Sequence, residues 1–538
     1  EIGKNMLALE YMDDIVVIDA GVLFPEEDML GIDLVIPDIS YLKQNQDRVK
    51  AILITHGHED HTGALPYVLR DLNVPVYAPR LAEGLIRVKL KEHRDLGDAQ
   101  IVAIDPGQKV ELGVFEVEWF RVCHSIPDAM GLAIKTPMGL VIHTGDFKID
   151  HTPVDGMPTD LSNLSRISSD GVLLLMSDST YAEVAGYTPS EQVVGEALDR
   201  AISSSPGRVL VATFASLISR IQLVIDAAER HGRKVSFTGR SMVGNINMAL
   251  EMGYLRAEPH TVKNLKEINE LPPEQVVIMT TGSQGEPTSA LVRIANNAHR
   301  DINIEEGDTV VISATPIPGN ETVVSKTIDN LLRQGARVLH DKVALVHVHG
   351  HASQEELKLM LNLIRPEFFV PVHGEHRHLK AHATLAHQVG IPKDNTFVME
   401  DGDVLEISPE SAGIKDKVVA GHVYVDGSRI FYVDREVINE RKSLSGDGVV
   451  FISLIVDKMT GEHRNIPEVI SYGFVNPADQ SDIATDITAI LLDYRNKDHA
   501  SWNSKEKSLN ASARETVANL LLKKTGRRPV IFVSVEEV

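Results

Sequence analysis

The sequence holds a single cysteine, Cys123, among 538 residues. One thiol excludes an internal disulfide framework and points to a reducing compartment, so a cytoplasmic location is expected. Long apolar runs are missing as well. No window of about 18 uncharged apolar residues occurs, which leaves no candidate membrane span. The amino-terminal stretch carries no charged-then-apolar leader, so secretion has no support. That stretch, EIGKNMLALEY, reads instead as a strand edge, and a few residues are expected to precede it. Positive charge is in deficit: 53 Lys and Arg face 76 Asp and Glu, a formal net charge of −23. Such a balance argues against a protein that coats nucleic acid non-specifically. It does not exclude a nucleic-acid enzyme, because phosphate affinity depends on local basic lining and on metal ions. No internal repeat and no low-complexity tract is found.

What is present is a chain with 43% hydrophobic residues, enough for a substantial core. Its length suggests roughly two to four domains. Up to about Thr180 it reads as short strands, among them DDIVVIDAG, AILITHG, FEVEWFRV and GLVIHTGD, each closed by a polar or turn residue. Helix-like pieces such as GALPYVLRDL and LAEGLIRVKLKEHR lie between them. From about Pro189 helices and strands alternate, the pattern of a parallel sheet covered on both faces. VALVHVHGHAS and RPEFFVPVHGEHRHL then read as histidine-bearing strand ends. A polar segment around DGSRIFYVDREVINERKSLSGDG reads as a linker, and a small α+β unit follows it.

With 22 histidines against one cysteine, a metal would have to be held by nitrogen and oxygen. The stretch ILITHGHEDHTG, Ile52 to Gly63, ends an apolar run on four potential ligands: His56, His58, Asp60 and His61. Residues two apart do not face each other on a helix. On a strand end they do, so His56 and His58 could clasp one ion while Asp60 and His61 reach a second. Four ligands are too few for two ions. Further donors follow apolar runs at His124 in RVCHSIPD, Asp146 in VIHTGDF and His373 in VPVHGE.

THGHEDHTG, together with IDAG at Asp19, His124 and HTGDF, resembles the metallo-β-lactamase superfamily. That resemblance implies an αββα sandwich with two divalent ions, zinc in the first place and manganese or magnesium as alternatives. Carried over by motif, His56, His58 and His124 would hold one ion, Asp60, His61 and His373 the other, and Asp146 would bridge. Asp19 would orient a ligand. The helix–strand block resembles the β-CASP group of nucleic-acid-processing members, with Asp178 in SDST, His351 in HGHAS and His373 as its later motifs. The tags FAS, TGRSM, TGSQGEP and PVHGEHRHL narrow the resemblance to the bacterial ribonuclease J family, over the whole chain. The implied architecture is a metallo-β-lactamase domain at 1–185 and 346–427, an inserted β-CASP parallel α/β domain at 186–345, a linker at 428–446 and a small α+β C-terminal oligomerisation domain at 447–538.

The implied activity is a metal-dependent ribonuclease of RNA decay and maturation, 5′→3′ exonucleolytic on 5′-monophosphate RNA, with endonuclease activity. Asp60, Asp178 and His351 would be its catalytic side chains, with His351 protonating the leaving 3′ oxygen. Candidates for the terminal phosphate are Ser216, Arg240, Ser241, Ser283, His349, Gly350 and Ser353, glycine- and serine-bearing turns at strand ends. Two departures fall there. The family commonly has Asn and His where FASLISRIQ has Leu217 and Ser219, and a serine where this chain has His349. They leave the balance of exo- and endonuclease activity open. Single-stranded RNA is the expected partner, with a homodimer or homotetramer, other RNA-decay proteins and no membrane. The rival readings are a β-CASP DNA nuclease and an RNA-binding paralogue that scaffolds a degradation complex. Arg87, Lys89, Lys91 and Arg94 read as a solvated helix face, Cys123 as no ligand, and Trp119, Phe147 and Tyr181 as core aromatics that could otherwise stack bases.

Overall fold

The computed structural model describes residues 1–26, 29–93, 96, 99–286, 288–316, 320–409, 411–427, 431–457, 464–497 and 506–538. The chain divides into two compact units, 1–24 with 34–423, and 25–33 with 424–538. In the first unit, runs of β-branched residues become central strands because both of their faces are covered. Ile15, Val16 and Val17 and the following Ala51, Ile52 and Leu53 are all fully buried. One sheet runs in the order Leu7–Tyr11, Asp14–Ile18, Val49–Leu53, Val76–Pro79, Ile101–Ile104, parallel after its first pair. The second runs Phe368–Val372, Leu174–Asp178, Gly139–His143, Met130–Thr136, Phe115–Arg121, Lys109–Leu112.

Val16, Ile18, Leu53, Trp119, Leu132, Val141 and Met176 fill the space between the two sheets. Helices Leu161–Ser168, Gln354–Ile364 and His376–Gln388 cover the outer face of the second sheet. This is the αββα sandwich that the resemblance implies. Trp119 and Phe147 belong to its core and are wholly buried, so neither offers a face to a base.

Between Asp178 and Phe368 the chain builds another layer. Five parallel strands lie in the order Lys234–Thr238, Val276–Thr280, Val209–Ala212, Thr309–Ile312, Arg337–Leu339. Helices cover both faces, as strand–helix alternation requires. This inserted domain is seated on the sandwich by an apolar seam in which Leu81, Leu85 and Ile126 join Ile218, Met242 and Met248. The tight approach depends on Gly84, where a Cβ would come 2.6 Å from the Met252 sulfur.

Two expectations need correction. The start of VALVHVHGHAS, residues 343–349, was expected to end a strand, yet it forms no ladder. Side-chain hydrogen bonds hold it instead, a long-range device that no local pattern announces. In the second unit, helix Arg435–Asp447 begins inside the segment 428–446 expected as a linker and runs one residue past it. Only Ile438 of that helix is buried, which is why its polar sequence reads as coil. The same unit has the sheet Glu468–Tyr472, Val449–Val456, Val530–Glu537, with helices Gln480–Lys497 and Glu506–Thr525 on one face.

Candidate metal centre

In parallel strands the carboxyl ends share one edge, so residues distant in sequence meet there. Asp19 follows Asp14–Ile18, the THGHEDH turn follows Val49–Leu53, and Asp146 follows Gly139–His143. Asp178 ends Leu174–Asp178, and His373 follows Phe368–Val372. His124 follows Phe115–Arg121, which runs in the same direction because two antiparallel pairings separate it from Gly139–His143.

The seven expected donors converge in two groups, His56 with His58 and His124, and Asp60 with His61, Asp146 and His373. Within each, the ligand atoms lie within 4.8 Å of one another. His58 Nδ1 is 3.1 Å from both His56 Nε2 and His124 Nε2. In the second group His373 Nε2 is 3.3 Å from Asp60 Oδ2, and His61 Nε2 is 3.6 Å from the same oxygen. One oxygen joins the groups. Asp146 Oδ2 lies 3.2 Å from His61, 3.5 Å from His373, 3.7 Å from His56 and 3.8 Å from His124.

Around this centre four of the five rings are held by their other nitrogen. His61 Nδ1 donates to Asp19 Oδ2 at 2.8 Å. His56 Nδ1 donates to the Thr55 hydroxyl at 3.1 Å, which donates to the same carboxylate oxygen at 2.9 Å. His373 Nδ1 donates to the Thr180 hydroxyl at 2.6 Å, which in turn donates to Asp178 Oδ1 at 2.8 Å. His124 Nδ1 donates to the Gly350 carbonyl at 2.8 Å. These bonds fix the tautomers so that the Nε2 lone pairs face inward. The His56 and His124 lone pairs both point at His58 Nδ1, 3.1 Å away, which can give a proton to at most one of them. A cation relieves the remaining repulsion, and the donor set therefore fits divalent metal.

The electrostatics divide the donors. Burial pushes His56 and His124 well below the ordinary imidazole value, neighbouring histidines add to the effect, and His58 falls to about 4. Burial opposes charge on Asp60 and Asp146 too, but the surrounding imidazoles outweigh it and hold both below the usual carboxylate range. His61 differs: despite burial, Asp146, Asp60 and Asp19 raise it well above the ordinary value, so it must give up a proton before Nε2 can hold an ion. Neutral His56, His58 and His124 are already in the form a metal site requires.

Beside the cluster, His351 Nδ1 donates to Asp178 Oδ2 at 2.8 Å, and its ring stands 5.0 Å from that of His124 and 5.5 Å from that of His373. Burial lowers its pKa, yet Asp178 more than compensates and raises it to about 9. A proton is thus held on an imidazole at the margin of the donor cluster.

The expected phosphate candidates part into two groups. Ser216, Ser283, Arg240 and Ser241 follow Val209–Ala212, Val276–Thr280 and Lys234–Thr238, three adjacent parallel strands of the inserted sheet. Arg240 and Ser241 are exposed, Ser216 half-buried and Ser283 buried. Leu217 is buried at the start of helix Ile218–Arg230, with Ser219 in its first turn. Gly350, Ser353 and His349 lie instead beside the histidine cluster. Ser353 caps helix Gln354–Ile364, its amide and hydroxyl engaged by Glu356 and Thr188, so it has no free group for an anion. His349 stacks on Tyr181 with ring centroids 3.6 Å apart. Burial, with His351 adding to it, lowers its pKa to about 4. On the basic face, Arg87 pairs with Glu83 and Lys89 with Glu59, while Arg94 lies outside the described residues.

Thr55 and Thr180 were missed by sequence reasoning, although both lie inside quoted motifs, THGHEDHTG and SDST. Arg220, Glu191 and Glu356 were missed too, and only their burial marks them.

Comparison with known proteins bears on the same residues. Residues 2–175 match the metallo-beta-lactamase superfamily and 336–398 the Zn-dependent metallo-hydrolase RNA specificity domain. Residues 206–331 match the beta-CASP domain of ribonuclease J, and 436–538 the ribonuclease J C-terminal domain. Ribonuclease J 1 of Streptococcus pyogenes serotype M3 is 44% identical over 99% of this chain and 95% of its own. Ribonuclease J2 of Bacillus subtilis is 41% identical over 100% of this chain and 97% of its own. The crystal structure of a protein of unknown function from Enterococcus faecalis V583 covers 69% of this chain and 91% of its own, with TM-score 0.50 and 16% identity, a likeness of fold alone.

Proposed function

The chain belongs to the ribonuclease J family of metal-dependent ribonucleases, and from that premise we propose that it acts as a 5′→3′ exonuclease on 5′-monophosphate RNA, with endonuclease activity, in cytoplasmic RNA decay and maturation. The observation that carries this reading is Asp146 Oδ2, one carboxylate oxygen faced by four inward-pointing imidazoles. His56, His58 and His124 would hold one divalent ion, and Asp60, His61 and His373 a second, with Asp146 shared. Zinc suits this nitrogen and oxygen set, and manganese or magnesium are the alternatives. When bound, such ions lower the pKa of a water and offset charge on the scissile phosphate.

The chain's own residues do the rest. Asp19 and the Thr180–Asp178 pair keep the imidazoles oriented. As a water oxygen bonds to phosphorus and the P–O3′ bond breaks, His351, held by Asp178, gives its proton to the departing 3′ oxygen. The terminal nucleotide leaves as a nucleoside 5′-monophosphate with a free 3′-hydroxyl, and the shortened RNA keeps a 5′-phosphate. The β-CASP insertion, residues 186–345, carries the turns at Ser216, Arg240, Ser241 and Ser283 toward the RNA, with Gly350 and His349 at the domain junction. Residues 447–538 assemble the chain into a dimer or tetramer through an exposed sheet face. Support comes from Phe451 and Phe532, stacked 5.2 Å apart and both largely exposed.

The test uses chelated protein reloaded with zinc, manganese or magnesium. It is offered RNAs bearing 5′-monophosphate, 5′-triphosphate or 5′-hydroxyl ends, and matched DNA. Mononucleotide release from monophosphate RNA is expected. Equal cutting of DNA, or full activity after chelation, overturns the reading.

A further inference from the structure

Residues 344–349 lead to Gly350 and His351 without any strand pairing, so something else must fix them. The largest buried charge outside the histidine cluster lies against them. Arg220, 1% exposed at the start of helix Ile218–Arg230, meets the Glu191 carboxylate with Nη2 at 2.7 and 2.8 Å. Its other terminal nitrogen donates to the Ser313 carbonyl at 2.9 Å and to His347 Nδ1 at 2.8 Å. Nη2 also reaches the Val348 carbonyl at 3.4 Å. Burial, with the guanidinium adding to it, keeps His347 neutral and therefore an acceptor. Ser313 Oγ donates to the Val346 carbonyl, and the Thr188 hydroxyl to the His351 carbonyl at 2.8 Å. Glu191 N donates in turn to Asp150 Oδ2 at 3.2 Å, and the buried Lys148 donates to the Pro189 carbonyl at 3.2 Å. The strands of chain that enter and leave the insertion are thus laced together, and the lacing ends on the segment that carries His351.

Neither Arg220 nor Glu191 touches the donor cluster, and a buried ion pair is poor evidence for stability, because desolvation offsets its attraction. The geometry points to Arg220 as a positioning residue: through His347 and Val348 it holds the 346–351 segment so that His351 meets the leaving oxygen. This deepens the proposed function and rests on His351 being the proton donor.

A planar guanidinium makes these bonds at fixed angles, whereas an ammonium does not. Arg220→Lys keeps the charge opposite Glu191 but loses the fork. Thr188→Val removes the bond to the His351 carbonyl without burying a lone charge, and serves should the first variant fold poorly. Each is assayed beside wild type and His351→Ala, at equal metal content, on two 5′-phosphorylated RNAs. One has a natural scissile linkage, and the other has sulfur in place of the bridging 3′ oxygen. In the natural linkage the electron pair departs on O3′ and needs the proton. In the other it departs on sulfur as a thiolate, which leaves unprotonated.

The expected result for Arg220→Lys is a kcat lower by roughly 10²-fold or more on the natural linkage, the scale of a lost general acid. KM is expected to be unchanged and the sulfur linkage cut at nearly the wild-type rate. Thr188→Val shows the same selectivity with a loss of roughly tenfold, as for other orienting hydrogen bonds. Should His351→Ala show selective loss while both variants slow the two RNAs alike or not at all, the positioning inference falls and the acid assignment stands. Should His351→Ala itself lose both alike, the acid assignment fails and the inference with it.

Discussion

Each imidazole of the cluster has one nitrogen turned inward, and for His56, His61, His124 and His373 the other is committed to a named acceptor. Asp19 serves two rings, directly through His61 and through Thr55 to His56. Asp19→Asn therefore replaces an acceptor with an amide that cannot satisfy both. Metal affinity is expected to fall roughly 10- to 100-fold, read by competition with a coloured chelator. An unchanged affinity would show that Asp19 only caps the strand. Gly350 is a second test of close fit. A Cβ there would stand 2.7 Å from the His124 ring, and the Gly350 carbonyl is that ring's acceptor. Gly350→Ala is expected to lower metal content at the His56, His58 and His124 donors, seen by elemental analysis, with native circular dichroism. Asp60 and His61 were legible in sequence because the HGHEDH spacing is dense. Thr180 was not, because a threonine beside an aspartate has many uses and only the approach of His373 gives it this one.

At the scale of elements, strands announce themselves by apolar runs and helices by their period. Residues 343–348 break that rule. VALVHV looks like a strand, yet its neighbours are the Arg220 guanidinium and the Ser313 hydroxyl rather than a ladder. Helix Gln354–Ile364 follows and carries Glu356, wholly buried, whose carboxylate accepts the backbone N–H groups of Ile149, Thr188 and Ser353 at 2.7, 2.7 and 2.9 Å. Those donors come from three separate stretches of chain. Glu356→Ala leaves them buried without a partner, each at about 1–3 kcal/mol. The expected outcome is a clear drop in the urea midpoint. A midpoint within error of wild type would mean that water or a shifted backbone satisfies the three amides.

For the whole molecule, the donor cluster draws on strands from both sheets, so a bound ion ties them together. Ligands that bind only the folded state stabilise it, by about 2.7 kcal/mol at a hundredfold excess over Kd. Chelation should therefore lower Tm, and zinc should restore it. A Tm indifferent to metal would contradict the centre. In the second unit, helices cover the Val450, Ile452 and Leu454 face of the sheet, while Phe451, Ile470, Tyr472 and Phe532 lie on the other, largely exposed. Contiguous apolar surface of this kind supports the proposed assembly through this face. Phe451→Ser with Phe532→Ser is expected to lower the mass measured by light scattering, with activity per subunit retained at high protein concentration. An unchanged mass would place assembly elsewhere.

By itself the sequence determined the ligand types, their attachment to strand ends and the alternation that makes the insertion a parallel sheet, because those properties are local: spacing, apolar period and turn residues act over a few positions. Only the tertiary structure decided that Thr180 holds the His373 ring, that Arg220 and Glu356 lace the insertion's two crossings, and that Ser353 serves a helix rather than a ligand. Those outcomes depend on which distant chains approach and on which buried polar groups must then find partners, and no short stretch of sequence records either.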